Sequence, residues 1–298
     1  MFVEASLHGI RDRMLALRSL PAFAGMGDEL ALHVVESSRQ RRFRAGEELF
    51  SETIPTHCIY FVIAGRITVT YHGAPIQVIA GSGVIGVIAA LANTRLGWRA
   101  VAEHEALVLE LAIDEFRALL LEDFTLLRNT VRVIAGLALR QRGNLPVKRD
   151  HVPAELGVYP ERDPTLVERV VVMRNTPGPF STANMEAIID LARCQQPVRV
   201  EPGHVLFEAG APALSLIQIE YGRVRCTTPT GESVEVGNGM VLGVLDAWSS
   251  QPSSYSARAE TRVVGYRTYN EDALAVLEMH PAVTLRMLAD LAASITRG

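Results

Sequence analysis

The chain has 298 residues, 48% hydrophobic and 21% charged, a composition that excludes a disordered or fibrous protein and a length that suits two domains. Its 29 lysines and arginines against 33 acidic residues leave a net charge of −4, which removes the case for a globally basic nucleic-acid or membrane binder and leaves only a local basic patch open. Three dispersed cysteines, Cys58, Cys194 and Cys226, supply neither a disulfide framework nor a paired-thiolate metal site, which fits a reducing compartment.

Met1 to Leu20 carries Glu4, Arg11, Asp12 and Arg13 where a secretory signal needs an apolar run, and no stretch approaches the roughly 18 apolar residues of a membrane span. A cytoplasmic chain with no membrane association is expected. Lys148 is the only lysine, and with abundant Ala and Gly this reads as the usage of a GC-rich bacterial genome. Leu15, Leu17, Leu20, Leu30, Leu32 and Val35 mark opening helices broken near Pro21-Ala22-Phe23. Arg39 to Arg44 is the densest basic run; it reads as a solvated strand edge, with nucleic-acid or partner contact as the alternative. Ile59 to Ile63 and Ile67 to Tyr71 are β-branched and aromatic, and Gly65 between them predicts a tight hairpin.

Gly81-Ser82-Gly83-Val84-Ile85-Gly86 satisfies G-x-G-x-x-G, with Glu103 about twenty residues on. It lies among short strands rather than in the first turn of a βαβ unit, so no dinucleotide site is expected. Leu107 to Leu111 reads as a late strand, and Asp114 as the cap of a helix through Phe116 to Leu120. Phe124, Leu127, Val131, Ile134 and Ala138 then fall on one face of a long helix. Gly143 to Pro164, with Pro146, Pro153, Gly157 and Pro160, has no sustained periodicity and reads as a linker.

Beyond the linker the pattern starts again. Thr165 to Arg174 supplies an opening helix, and Glu201-Pro202-Gly203-His204-Val205-Leu206-Phe207 echoes Arg44-Ala45-Gly46-Glu47-Glu48-Leu49-Phe50 at a spacing of 157 residues. The same spacing, without a gap, pairs Phe23 with Phe180, Gly65-Arg66 with Gly222-Arg223, Gly86 with Gly243, Ala102-Glu103 with Ala259-Glu260 and Leu120 with Leu277. Accidental similarity would scatter over many offsets; one register means a duplicated domain. Leu285, Leu288, Ala292 and Ile295 repeat the closing-helix stripe. The expected division is 1–142 for the first domain, 143–164 for the linker and 165–298 for the second.

The helix break, the x-P/A-G-x-x-L-F segment, the G-R-[IV] turn, the Gly-led short helix, the x-A-x-A-E strand and the two closing helices together resemble the cyclic-nucleotide-binding domain. That domain is the β-roll sensor of bacterial catabolite activator-like regulators and, in tandem, of protein kinase A regulatory subunits. The resemblance implies an α+β, mainly β architecture: two β-roll (jelly-roll) domains, each flanked by helices. It also implies a phosphate-binding cassette in each, Gly83–Ala102 and Met240–Ala259, where a short helix N-terminus and an arginine meet the cyclic phosphate and a glutamate takes the ribose hydroxyl. The family's Gly-Glu pair falls on Gly86-Val87 and Gly243-Val244, and its arginine on Leu96 and Ser253. Each cassette has therefore lost both polar anchors. Arg99 (or Arg95) and Arg258 are the residues that could substitute, against a default surface role, and Ser249, Ser250, Ser253, Ser254, Tyr255 and Ser256 could hydrogen-bond a ligand but carry no positive charge.

The eight histidines show no ligand spacing, and Ser82 has no nearby base, so no catalytic residue, metal or cofactor is expected. A helix-turn-helix would have to follow a closing helix; the sequence after Arg142 is proline-interrupted and Arg297-Gly298 is last, so direct DNA binding is not expected. The expectation is a non-enzymatic regulatory or scaffolding protein working through an unidentified protein partner, with cyclic-nucleotide binding doubtful. Homodimerisation is expected through the apolar stripes Phe124, Leu127, Val131, Ile134 and Leu285, Leu288, Ala292, Ile295, because an exposed stripe tends to be covered. The alternative is a small-molecule or cyclic-nucleotide sensor with a non-standard pocket whose closing helices move on binding.

Overall fold

The computed structural model describes residues 9–54, 56–92, 97–142, 145–146, 161–175 and 183–296. The chain divides into two compact units, one of residues up to Ile134 with those from Leu288 onwards, the other Ala135–Met287. The division falls within the two long closing helices. Most of the expected linker, 143–164, lies outside the described residues.

The first unit opens with α1 (Ile10–Arg18) and α2 (Asp28–Ser37), separated by a 3-10 turn at Pro21–Phe23. Pro21 presets φ for that turn, and Phe23 meets Phe61 edge-to-face at 4.9 Å between ring centroids. Eight strands follow: β1 (Arg39–Phe43), β2 (Glu48–Phe50), β3 (Cys58–Ala64), β4 (Arg66–Tyr71), β5 (Ala74–Ala80), β6 (Gly83–Ile85), β7 (Trp98–Ala102) and β8 (Ala106–Ala112). They form two four-stranded antiparallel sheets, in orders β1-β8-β3-β6 and β2-β7-β4-β5. Phe50 and Tyr60, one from each sheet, stack at 5.6 Å, which locates the roll interior between the sheets. Three helices accompany these strands in sequence: α3 (Val87–Leu91), α4 (Ile113–Glu122) and α5 (Phe124–Arg142), the last of which carries the division at Ile134.

The expected hairpin at Gly65 is corrected. β3 and β4 lie in different sheets, β3 bonded to β6 and β8 and β4 to β5 and β7, so Gly65 is a corner where the chain changes sheet. Its φ of +116° is one requirement; the other is space, because a Cβ would lie 2.6 Å from Ala106 Cα. Two β-rich segments about a glycine read alike whether they pair with each other or part. Asp114 is likewise not a cap: Ala112 precedes α4 with no side-chain cap, and Asp114 sits in the first turn, where its charge opposes the helix dipole favourably.

The second unit repeats this order. Thr165 and Glu168 form a reciprocal capping box at the start of α6 (Leu166–Asn175), Glu168 accepting the Thr165 N–H at 2.7 Å. Arg162 and Thr165 hold the Glu168 carboxyl well down, at about 2. Asn184 caps α7 (Met185–Cys194) by accepting the Ala187 N–H. Then come β9 (Gln196–Val200), β10 (Val205–Phe207), β11 (Ser215–Tyr221), β12 (Val224–Thr227), β13 (Ser233–Val236), β14 (Val241–Leu242), α8 (Val244–Ser249), β15 (Ser256–Ala259), β16 (Val263–Tyr269), α9 (Asn270–Met279) and α10 (Pro281–Ile295). The sheet orders are β14-β11-β16-β9 and β10-β15-β12-β13, the topology of the first unit strand for strand. Ile217, Ile219, Val224, Cys226 and Ala257 form its inner core.

Candidate functional site: the two cassettes

Each cassette is a short strand, a left-handed glycine, a short helix and a returning strand. Gly86, at φ +93°, starts α3, and Gly243, at φ +77°, starts α8. A Cβ on Gly86 would lie 2.8 Å from Cys58 O and one on Gly243 3.1 Å from Ser215 O, so both glycines let a helix begin against the same carbonyl of the equivalent strand. That packing need explains both without a ligand. Val87 and Val244, half-buried as the first residue of each helix, bring isopropyl groups that can accept no hydroxyl.

Arg99 and Arg258 do not enter either roll. In β7 Trp98, Ala100 and Ala102 are buried while Arg99 is exposed, its Nε donating to Glu48 Oε1 at 2.7 Å. In β15 Ala257 and Ala259 are buried while Arg258 is exposed, its Nη1 donating to Gly203 O at 2.8 Å. The strand's alternation sends both guanidinium groups to the outer face. Leu96 and Arg95 lie outside the described residues. Ser253 is buried, with its backbone paired to Ala211 O and Gly210 N–H, both at 2.8 Å.

Two aromatic residues, one not singled out from the sequence (Trp98) and one expected only as a possible ligand hydrogen-bonder (Tyr255), are buried at equivalent positions. Trp98 and Tyr255, 157 residues apart, are 3% and 5% exposed. The Tyr255 hydroxyl accepts the Gly243 N–H at 3.0 Å, and its ring meets Phe207 at 5.3 Å. Burial drives the Tyr255 phenol pKa well upward, keeping the hydroxyl neutral. Trp98 packs on Tyr71 at 4.7 Å. Their signal was present: an aromatic at the repeat spacing, Trp98 as the first residue of β7 and Tyr255 just before β15.

The second cassette also buries an acid. Asp246, 1% exposed in the first turn of α8, has its carboxyl pKa raised by burial, opposed by hydrogen bonds from the Ser254 side chain and backbone. The serine run is largely committed to the protein itself. Ser249 Oγ donates to Asp246 O at 3.1 Å, and Ser256 Oγ donates to Glu208 and accepts the Ala209 N–H, both at 2.9 Å.

The helix stripes are covered within the single chain. Leu127, Val131, Ile134, Leu288, Ala292 and Ile295 are at most 3% exposed, with Phe124 and Leu285 half-buried. Dimerisation through an uncovered stripe therefore loses its premise, since periodicity reveals an apolar face but not what lies against it.

The profile of the family described as "Cyclic nucleotide-binding domain" matches residues 40–123 and 197–280. The chain belongs to this family. The two matched stretches are the two rolls, so the domains occur in tandem. The cyclic-nucleotide-binding-domain chain is 28% identical over 91 residues to the acetyltransferase Pat of Mycolicibacterium smegmatis, a match covering 29% of this chain and 27% of that protein. It thus spans about a quarter of the length of that curated relative. Among solved structures it is similar to the regulatory subunit of a cAMP-independent protein kinase A from Trypanosoma brucei (15% identity, 95% of this chain and 88% of that one, TM-score 0.36). It is also similar to the regulatory domain of Toxoplasma gondii PKA crystallised with cAMP (14% identity, 94% and 95% covered, TM-score 0.36). Among the described residues no group of three or more histidines, cysteines or acids could hold a metal, and no helix is long and apolar enough to cross a membrane.

Proposed function

We propose that this chain is a non-enzymatic regulatory or scaffolding protein that acts through protein–protein contact, its two rolls serving as rigid platforms rather than as cyclic-nucleotide sensors. The observation that carries the reading is the hydrogen bond from Gly243 N–H to the Tyr255 hydroxyl. The backbone N–H groups at a short helix's start are what a cyclic phosphate would use. One of them is already satisfied by a neutral hydroxyl inside the roll. Asp246, buried one turn away, disfavours a phosphate further, and Arg99 and Arg258 point outward. In the first roll the residue at the Tyr255 position is Trp98, buried and packed on Tyr71, which offers no cation either.

With the apolar helix stripes covered, the exposed roll surfaces are the places left for a partner. The test is isothermal titration and thermal shift of the full chain with cyclic AMP and cyclic GMP. At about 1 mM ligand, a Kd of about 10 μM would stabilise the chain by roughly 2.7 kcal/mol, an easily measured shift. No heat and no shift are expected, and micromolar binding of either nucleotide overturns the proposal.

A further inference from the structure

The two rolls share a topology but finish one sheet edge differently. Among the described residues β1 and β9 are the corresponding edge strands, each bonded on one side only, to β8 and to β16. An edge strand presents a row of backbone donors and acceptors to any extended chain of matching chemistry, and proteins ordinarily blunt it with proline or charge. β9 is blunted by Pro197, and its one arginine, Arg199, is held by Asp163 at 2.9 Å. β1 has no proline. Gln40 stands at the register of Pro197, paired with Leu109 as Pro197 is with Tyr266. A proline within a paired strand keeps its N-side away from the ladder, so the Gln40 N–H at that register points off the sheet.

Charge surrounds that free edge. Arg39 and Arg41 project from one face of β1 and Arg42 from the other, with Arg44 just beyond its end, and all four are exposed. Arg41 reaches the largely buried Glu110 at 3.2 Å and Arg42 the exposed Glu105 at 3.5 Å, a weak pair; two carboxylates against four arginines leave the strip with a positive excess. Among the described residues no ion pair engages Arg39. Two copies of β1 meeting edge to edge would set arginines against arginines, which disfavours a second copy of this strand as the occupant.

We propose that β1 is a docking edge that adds an extended acidic segment of a partner protein as a fifth strand, main-chain hydrogen bonds supplying adhesion and the arginines on both faces selecting carboxylates. This deepens the partner-binding reading of the rolls and rests on it. The duplication makes the contrast informative, since one descendant of the ancestral edge is closed by proline and the other remains open and basic.

The experiment uses the full chain and a fluorescent ten-residue peptide of alternating Glu and Val, followed by anisotropy, beside a glutamine-for-glutamate twin and a mixed-sequence 20-base-pair DNA duplex. The acidic peptide is expected to bind and its twin to bind at least about tenfold more weakly, with affinity falling as salt rises. Arg39→Glu, at an exposed residue that no ion pair engages among the described residues, should weaken the acidic peptide about tenfold. Gln40→Pro keeps every charge and copies the second roll, so it should abolish binding while leaving the thermal transition within about 2 °C of wild type. No binding of the acidic peptide, undiminished binding to Gln40→Pro, or tighter binding of the duplex than of the peptide each overturns the docking edge. Those failures leave the nucleotide titrations unchanged, whereas cyclic-nucleotide binding overturns the platform reading with the peptide result standing, so the two are separable.

Discussion

Replacing Tyr255 with phenylalanine isolates the contact on which the reading of the second roll depends. The ring stays, with its packing on Phe207, while the hydroxyl that accepts the Gly243 N–H at 3.0 Å is lost. With Tyr255 only 5% exposed and Gly243 buried, water cannot readily replace that acceptor. An N–H stranded in such a place costs about 1–3 kcal/mol. For a cooperative unit of this size each kcal/mol is worth roughly 2–4 °C, so Tyr255→Phe should lower the second unit's transition by about 2–12 °C. Tyr255→Ala, which also opens a cavity, should lose about 3–5 kcal/mol. Differential scanning calorimetry is the assay, because a chain of two units need not melt as one and each transition has to be followed separately. Tyr255→Phe melting within about 1 °C of wild type would refute the reasoning, since it would mean that the hydroxyl contributes nothing at the helix start. Tyr255→Phe should still not bind cyclic AMP, because freeing one N–H neither removes Asp246 nor brings a cation into the roll.

Other consequences are direct. Gly222→Ala should cost well over about 2 kcal/mol in a denaturant titration, because the left-handed φ of +96° is compounded by a Cβ 2.2 Å from Arg262 O, whereas Gly46→Ala, with nothing near its Cβ, should show only the left-handed penalty of about 1–2 kcal/mol. Glu220, half-buried and accepting a hydrogen bond from Gln218 Nε2 at 2.7 Å, has its carboxyl pushed up to about 7 by burial. The folded state therefore holds this proton more tightly than the unfolded one, so stability is greatest below the unfolded carboxylate range and falls as pH rises towards 7, by at most about 3 kcal/mol. Glu220→Gln should flatten that decline, stabilising the chain at pH 8 more than at pH 5 in urea titrations; an equal effect at both pH values contradicts the burial argument. Arg99→Ala, which breaks an exposed pair with Glu48, should change stability by less than about 1 kcal/mol and leave nucleotide titrations as flat as wild type.

Much of the fold was legible because glycines and strand residues recur at one spacing of 157, and the two rolls share strand order throughout. What a turn does was not. Gly65 reads as a hairpin because only long-range pairing shows that β3 joins β8 while β4 joins β7. That each short helix opens on a valine, Val87 and Val244, could be read directly, and the outward aim of Arg99 was implicit in its place between Trp98 and Ala100. The filling of the interior by Trp98 and Tyr255 needed the structure, since an aromatic at a strand start gives no hint of which N–H its hydroxyl will find. The covered helix stripes show the same limit from the other side: periodicity identifies an apolar face, and only the folded chain reveals that it is already buried.

The platform reading is tested most directly by titrating the intact chain with cyclic AMP and cyclic GMP in a calorimeter. With Tyr255 on the Gly243 N–H and no arginine turned inward from β7 or β15, the account predicts no heat beyond dilution up to about 1 mM nucleotide. A saturable isotherm in the micromolar range would contradict it.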